Sequence, residues 1–95
     1  MHAWNQLFQG HGIVKITSTY GRDHQFGITK DSVVVVSAVE MGFETGEERP
    51  FFGAANITVL SVAPQPNGNV DFKVNVAWDS DLHVRASIVA FPAAQ

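Results

Sequence analysis

The stretch that decides the fold is residues 70–91, VDFKVNVAWDSDLHVRASIVAF. Its first part alternates between apolar and polar side chains, and the apolar series is Phe72, Val74, Val76 and Trp78. After the polar residues DSD the alternation resumes, with the apolar series Leu82, Val84, Ala86 and Ile88. Successive side chains of a β-strand point to opposite faces, so this pattern predicts two antiparallel strands joined by a tight turn.

The segments before this hairpin have the same character. NITVLSVAP (Asn56–Pro64) is rich in β-branched residues and predicts another strand, and Asn67-Gly68 after it favours the positive φ angles of a tight turn. Residues 12–20 alternate as well, with Val14 and Ile16 on one face. The four valines at residues 33–36 are apolar on both faces. They predict a strand covered on both sides, by the core on one side and by a subunit interface or a crossing segment on the other.

The remaining segments show turn signals, and no segment has the apolar spacing of a helix. Gly42, Pro50 and Gly53 punctuate residues 42–56, which we interpret as a long connection. The chain is therefore expected to be all-β: a small antiparallel β-sandwich of about six strands. Its 95 residues form one domain, 1–95, in which residues 1–10 are a candidate flexible or inter-subunit arm.

Composition narrows the classes of function. There are no cysteines, and the net charge of −3 with six scattered basic residues argues against a nucleic-acid surface. The N-terminus shows no signal peptide, no apolar run predicts membrane insertion, and the localisation is left open. Hydrophobic residues make up 45% and charged residues only 16%, against about a quarter in an average soluble domain. We therefore expect a homo-oligomer in which another copy covers part of the apolar surface.

The motifs of common enzymes and metal sites are missing from the sequence. It has no phosphate-binding loop, no G-x-S-x-G and no H-E-x-x-H. Its four histidines lack the spacing of shared metal ligands, and the DSD turn alone offers too few oxygens for calcium. We expect no catalytic residues, no metal and no cofactor.

The order of features from residue 32 to residue 91 resembles the H-type lectin domain, the family of snail agglutinin and discoidin C-terminal domains, of which this chain would be a divergent member. The segments that carry the resemblance are FGITKDSVVVVSAVEM, AANITVLSVAP, NGNVDFKVNVAW and DSDLHVRASIVAF. The resemblance covers roughly two thirds of the chain. It implies a six-stranded sandwich that binds galactose or N-acetylgalactosamine and assembles as trimers or hexamers.

The resemblance also implies a sugar site. The family binds sugar with the residue pair that ends the Trp strand, here Trp78 and Asp79, and with an Asp in an N-terminal loop, which the GRD at Asp23 resembles. The family's strand Arg falls near Ala54, where this chain has no Arg, and Arg49 lies several residues earlier. The candidate ligand-binding residues are Trp78, Asp79, Asp81 and His83 at one hairpin, and Asp23 and Arg49 from loops.

The sequence leaves two questions open. The interval from Phe72 to Trp78 is one residue shorter than the family usually has, and one residue moves a side chain to the other face of a strand. Trp78 would then be a core residue rather than a sugar or subunit contact. The chain is accordingly either a multivalent carbohydrate-binding module or a structural assembly protein, such as a phage-fibre-like trimer, with the same fold and no small ligand.

Overall fold

The computed structural model describes the backbone of residues 1–44 and 47–91, and the side chains of residues 1–42 and 49–91. Nearly every described element is a strand, which confirms the all-β prediction. The strands are β1 (His2–Gly10), β2 (Gly12–Ser18), β3 (Val33–Glu44), β4 (Glu47–Pro50), β5 (Asn56–Pro64), β6 (Val70–Ala77) and β7 (Leu82–Phe91). One helical turn, α1 (Tyr20–Asp23), follows β2.

The strands form two antiparallel sheets that pack face to face. The four-stranded sheet has the order β1-β7-β3-β4, and the three-stranded sheet has the order β2-β6-β5. Strand β1 is the segment that the sequence analysis leaves as a flexible or inter-subunit arm; it is instead paired with β7 along its whole length, from His2↔Ala90 to Gly10↔Leu82.

The two strands of the predicted hairpin lie inside their sheets and supply most of the core. In β6 the inward residues are Val70, Phe72, Val74 and Val76, and in β7 they are Val84, Ala86, Ile88 and Ala90. Each is at most 2% exposed. Strand alternation therefore placed these faces correctly, because both strands have a hydrogen-bonded neighbour on each side and one face against the opposite sheet.

Residues 42–56 differ from the expected long connection. Strand β3 runs on to Glu44 and pairs with β4, with Met41 opposite Pro50 and Gly42 opposite Arg49. The N–H of Phe51 then donates to the carbonyl oxygen of Glu40 at 2.8 Å. Glycine and proline lower strand propensity, but cross-strand hydrogen bonds at the end of a sheet outweigh that preference here.

The predicted Asn-Gly turn between β5 and β6 is present. Gly68 has φ +91°, and its N–H donates to the carbonyl oxygen of Gln65 at 3.0 Å. The Asn67 side chain accepts a hydrogen bond from the N–H of Asn69, also at 3.0 Å. This turn closes the end of the three-stranded sheet nearest α1, where Gly68 packs against Arg22.

Candidate functional site

The turns β1–β2 and β6–β7 lie at the same end of the sandwich, which we call the Trp78 end. Gly10, the last residue of β1, is opposite Leu82, the first residue of β7. In the other sheet, Ala77 at the end of β6 is opposite Asn56 at the start of β5. Residues 78–81, the Trp78 hairpin, therefore project from this end beside the His11 turn.

Trp78 is not in the core. Trp78 is 44% exposed, although it lies two positions after the inward residue Val76 and strict alternation would place it inside. The reason is a three-residue turn in which the N–H of Trp78 donates to the carbonyl oxygen of Val76 at 2.8 Å. Alternation holds only within a strand, and β6 ends at Ala77. The turn thus directs Trp78 outward. The short interval from Phe72 to Trp78 therefore does not place Trp78 in the core.

Polar side chains follow the Trp78 ring directly. Asp79, Ser80 and Asp81 are all exposed. Oδ1 of Asp81 lies 2.5 Å from Nδ1 of His11, and both side chains are about half exposed. This contact joins the two turns and fixes one carboxylate, while Asp79 has no ion pair among the described side chains.

His11 is a residue of this end that is absent from the sequence-based candidates. Seventy positions separate it from Asp81, so only the pairing of β1 with β7 brings the two together. No spacing signal within the sequence could have shown this contact.

Two further candidates lie near the Trp78 end but not in the hairpin. His83 is exposed on the outer face of the four-stranded sheet, opposite Gln9 of β1. Arg49 is exposed on β4, opposite Gly42, on the part of β3 that extends beyond the β7 pairing. His83 therefore lies beside the Trp78 hairpin on the outer face of the four-stranded sheet, and Arg49 lies on the end of that sheet formed by β3 and β4.

Asp23 is at the opposite end of the sandwich. It ends α1, next to the β5–β6 turn, and its carboxylate contacts Arg22 at 3.2 Å. The eight residues of β6 between that turn and Trp78 extend about 25 Å at roughly 3.3 Å per residue. The structure does not bring Asp23 together with the other candidate residues, since β6 spans the full length of the sheet.

The outer face of the four-stranded sheet carries an apolar patch at the end where β3 begins, next to a polar row of Ser37, Ser87 and Asn5. Val33 and Val35 are 61% and 56% exposed, and their cross-strand neighbours on β7 are Phe91 and Val89. No described segment crosses this face. The subunit interface that the valine strand predicts on this side stays a prediction.

Arg85 lies farther along the same face, between Leu7 of β1 and Val39 of β3. Its Nε atom is buried and has no hydrogen-bond partner among the described residues. Because this chain already buries that atom, a molecule placed on the outer face would not reach it.

Comparisons with family models, with curated proteins and with solved structures give no match. Among the described residues, no group of three or more His, Asp or Glu side chains could hold a metal ion. Within the same residues, no helix is long and apolar enough to cross a membrane.

Proposed function

We propose that this protein is a carbohydrate-binding module that recognises galactose-type glycans at the Trp78 end and acts as a multivalent homo-oligomer. The observation that carries the proposal is the outward Trp78 ring followed by the exposed Asp79, Ser80 and Asp81. An aromatic face packs on the C–H face of galactose, and carboxylates accept hydrogen bonds from sugar hydroxyls. His11 would hold the Asp81 carboxylate in place for that role.

Oligomerisation gives such a site its useful affinity. A shallow site with one aromatic ring binds sugar weakly, but several sites on one particle gain avidity without any new contact. The exposed Val33 and Val35 on the outer face support an interface there, with trimers or hexamers as the expected assemblies.

The second candidate is a structural assembly protein without a small ligand. The same apolar face favours it, since large exposed apolar patches mark interaction surfaces whether or not a ligand binds elsewhere. The two candidates differ only in what the Trp78 end does.

A glycan array, with the particle mass measured by light scattering in the same buffer, separates the candidates. We expect binding to galactose-type glycans that Trp78→Ala and Asp79→Asn abolish while the particle mass stays unchanged. Asp31→Asn is the matched control, because Asp31 is an exposed carboxylate that precedes β3 at the other end of the sandwich. A stable oligomer that binds no glycan would reject carbohydrate binding and leave the assembly role.

A further inference from the structure

Two lysines face each other on the outer surface of the three-stranded sheet. Lys15 of β2 is directly opposite Lys73 of β6, and Lys73 is opposite Ser61 of β5. The next row across the same three strands is Thr17, Asp71 and Ala63. This surface is separate from the Trp78 hairpin and from the apolar face.

The placement of the lysines is unfavourable for the protein alone. Directly opposed residues of an antiparallel pair have Cβ atoms about 4.5–5.5 Å apart, and like charges at that spacing are destabilising. These are two of only six basic residues in a chain of net charge −3. Among the described side chains neither lysine forms an ion pair, and Asp71 in the adjacent row is not within 4.0 Å of either ammonium group.

A cleft lies over the same residues. Its volume is about 280 Å³. Its lining combines the polar Lys15, Lys73, Thr17, Ser61 and Asp71 with the apolar Ile16, Ala63 and Phe72. Strand β5 has a register shift between Val59 and Ser61 at this point. A bulge of this kind bends a strand locally and re-aims its side chains, and bulges are common beside functional sites.

We propose that this cleft binds a small ligand that carries an oxyanion group, such as a phosphate, sulfate or carboxylate, next to a hydroxyl group. The anion lies between the Lys15 and Lys73 ammonium groups, where its charge relieves their repulsion and accepts their hydrogen bonds. The hydroxyls of Thr17 and Ser61 are further donors to the anion.

Asp71 sets the chemistry of the rest of the ligand. A carboxylate accepts hydrogen bonds but repels a second negative charge. It therefore favours a hydroxyl beside the anionic group and disfavours a polyanion. A phosphorylated, sulfated or carboxylated sugar has this arrangement.

The test is a titration followed by amide chemical shifts, at constant ionic strength, with four probes: glucose 6-phosphate, inorganic phosphate, glucuronate and glucose. We expect glucose 6-phosphate to bind more tightly than inorganic phosphate and glucose not to bind. Comparison of glucose 6-phosphate with glucuronate identifies whether the anion is a phosphate or a carboxylate. Shifts centred on residues 15–17 and 71–73 are the expected pattern.

Variants assign the effect to the two lysines. Lys15→Gln and Lys73→Gln should each weaken glucose 6-phosphate binding roughly fivefold or more, the scale of one lost charge-assisted hydrogen bond. Lys30→Gln, at an exposed lysine that pairs with Asp31, is the matched control and should have no effect. Equal affinity in all three variants, or no binding of any anionic probe to the unmodified protein, would overturn the proposal.

Two more variants separate this site from its surroundings. Asp71→Asn should reduce the preference for glucose 6-phosphate over inorganic phosphate, because only the sugar ester offers Asp71 a hydroxyl. Trp78→Ala should leave both affinities unchanged, so the anion cleft and the Trp78 site are tested independently. If Trp78→Ala instead abolished anion binding, the anion would lie at the hairpin and the cleft would be rejected.

Discussion

The indole Nε1 of Trp4 donates a hydrogen bond to Oγ of Ser18 at 3.0 Å, and this bond joins the two sheets through the core. Trp4 belongs to the four-stranded sheet and Ser18 to the three-stranded sheet. Both residues are buried. The Ser18 hydroxyl also donates to Oε1 of Gln6 at 3.5 Å, whereas Ser18 is the acceptor that satisfies the indole N–H.

Ser18→Ala should lower the free energy of unfolding by about 1–3 kcal/mol, because it leaves the buried indole N–H without an acceptor. Urea unfolding followed by tryptophan fluorescence measures the change. Ser80→Ala is the control, since Ser80 is exposed in the Trp78 hairpin, away from the core and from the proposed subunit interface. Equal effects of the two substitutions would show that the Trp4–Ser18 bond adds no stability.

Gly21 is buried next to the indole ring of Trp4, and there is no room for a side chain at this position. A Cβ on Gly21 would lie 2.5 Å from Cδ1 of Ile28 and 3.2 Å from Cη2 of Trp4. Gly21→Ala should therefore cost about 1–3 kcal/mol of stability through overpacking.

Ile28→Val tests that cause, because it deletes the methyl group that the new Cβ meets. Alone it should cost about 0.5–1.5 kcal/mol. Combined with Gly21→Ala, it should cost less than the sum of the two single substitutions in thermal or urea unfolding. Additive costs would mean that Gly21 is required for a reason other than the contact with Ile28.

The proposed subunit interface makes a prediction about mass. Val35→Glu should reduce the light-scattering mass to that of the 10.3 kDa monomer, because it places a charge among the apolar side chains of Val33, Val89 and Phe91. Ile13→Glu is a close control: Ile13 is also a β-branched strand residue and is 64% exposed, but it lies on the outer face of the other sheet. A monomeric unmodified protein, or dissociation by Ile13→Glu alone, would contradict the interface.

The inward faces of the central strands could be predicted from the sequence, and the ends of the strands could not. In β6 and β7 the alternation alone identified the core residues, because one face of each strand is fully buried. The same alternation, continued one step past Ala77, placed Trp78 inside, whereas the turn at Val76 directs it out. Hydrogen bonds at a strand end are local geometry that apolar spacing does not report.

Contacts between strands that are far apart in the chain could not be predicted from the sequence either. The His11–Asp81 contact and the Lys15–Lys73 pair depend on which strands are neighbours and in which register. Strand β1 went unrecognised for a related reason: Gln6 interrupts its inward series between Trp4 and Phe8, so the segment lacks clear alternation until β7 is beside it.

The pairing of β1 with β7 also decides how the molecule can be displayed. His2 is opposite Ala90, so the first and last described strands begin and end together, at the end of the sandwich farthest from Trp78. A tag or a surface tether joined at either terminus would therefore leave the Trp78 hairpin pointing into solution. Immobilised protein should present that end to a soluble glycan without obstruction, whichever terminus carries the linker.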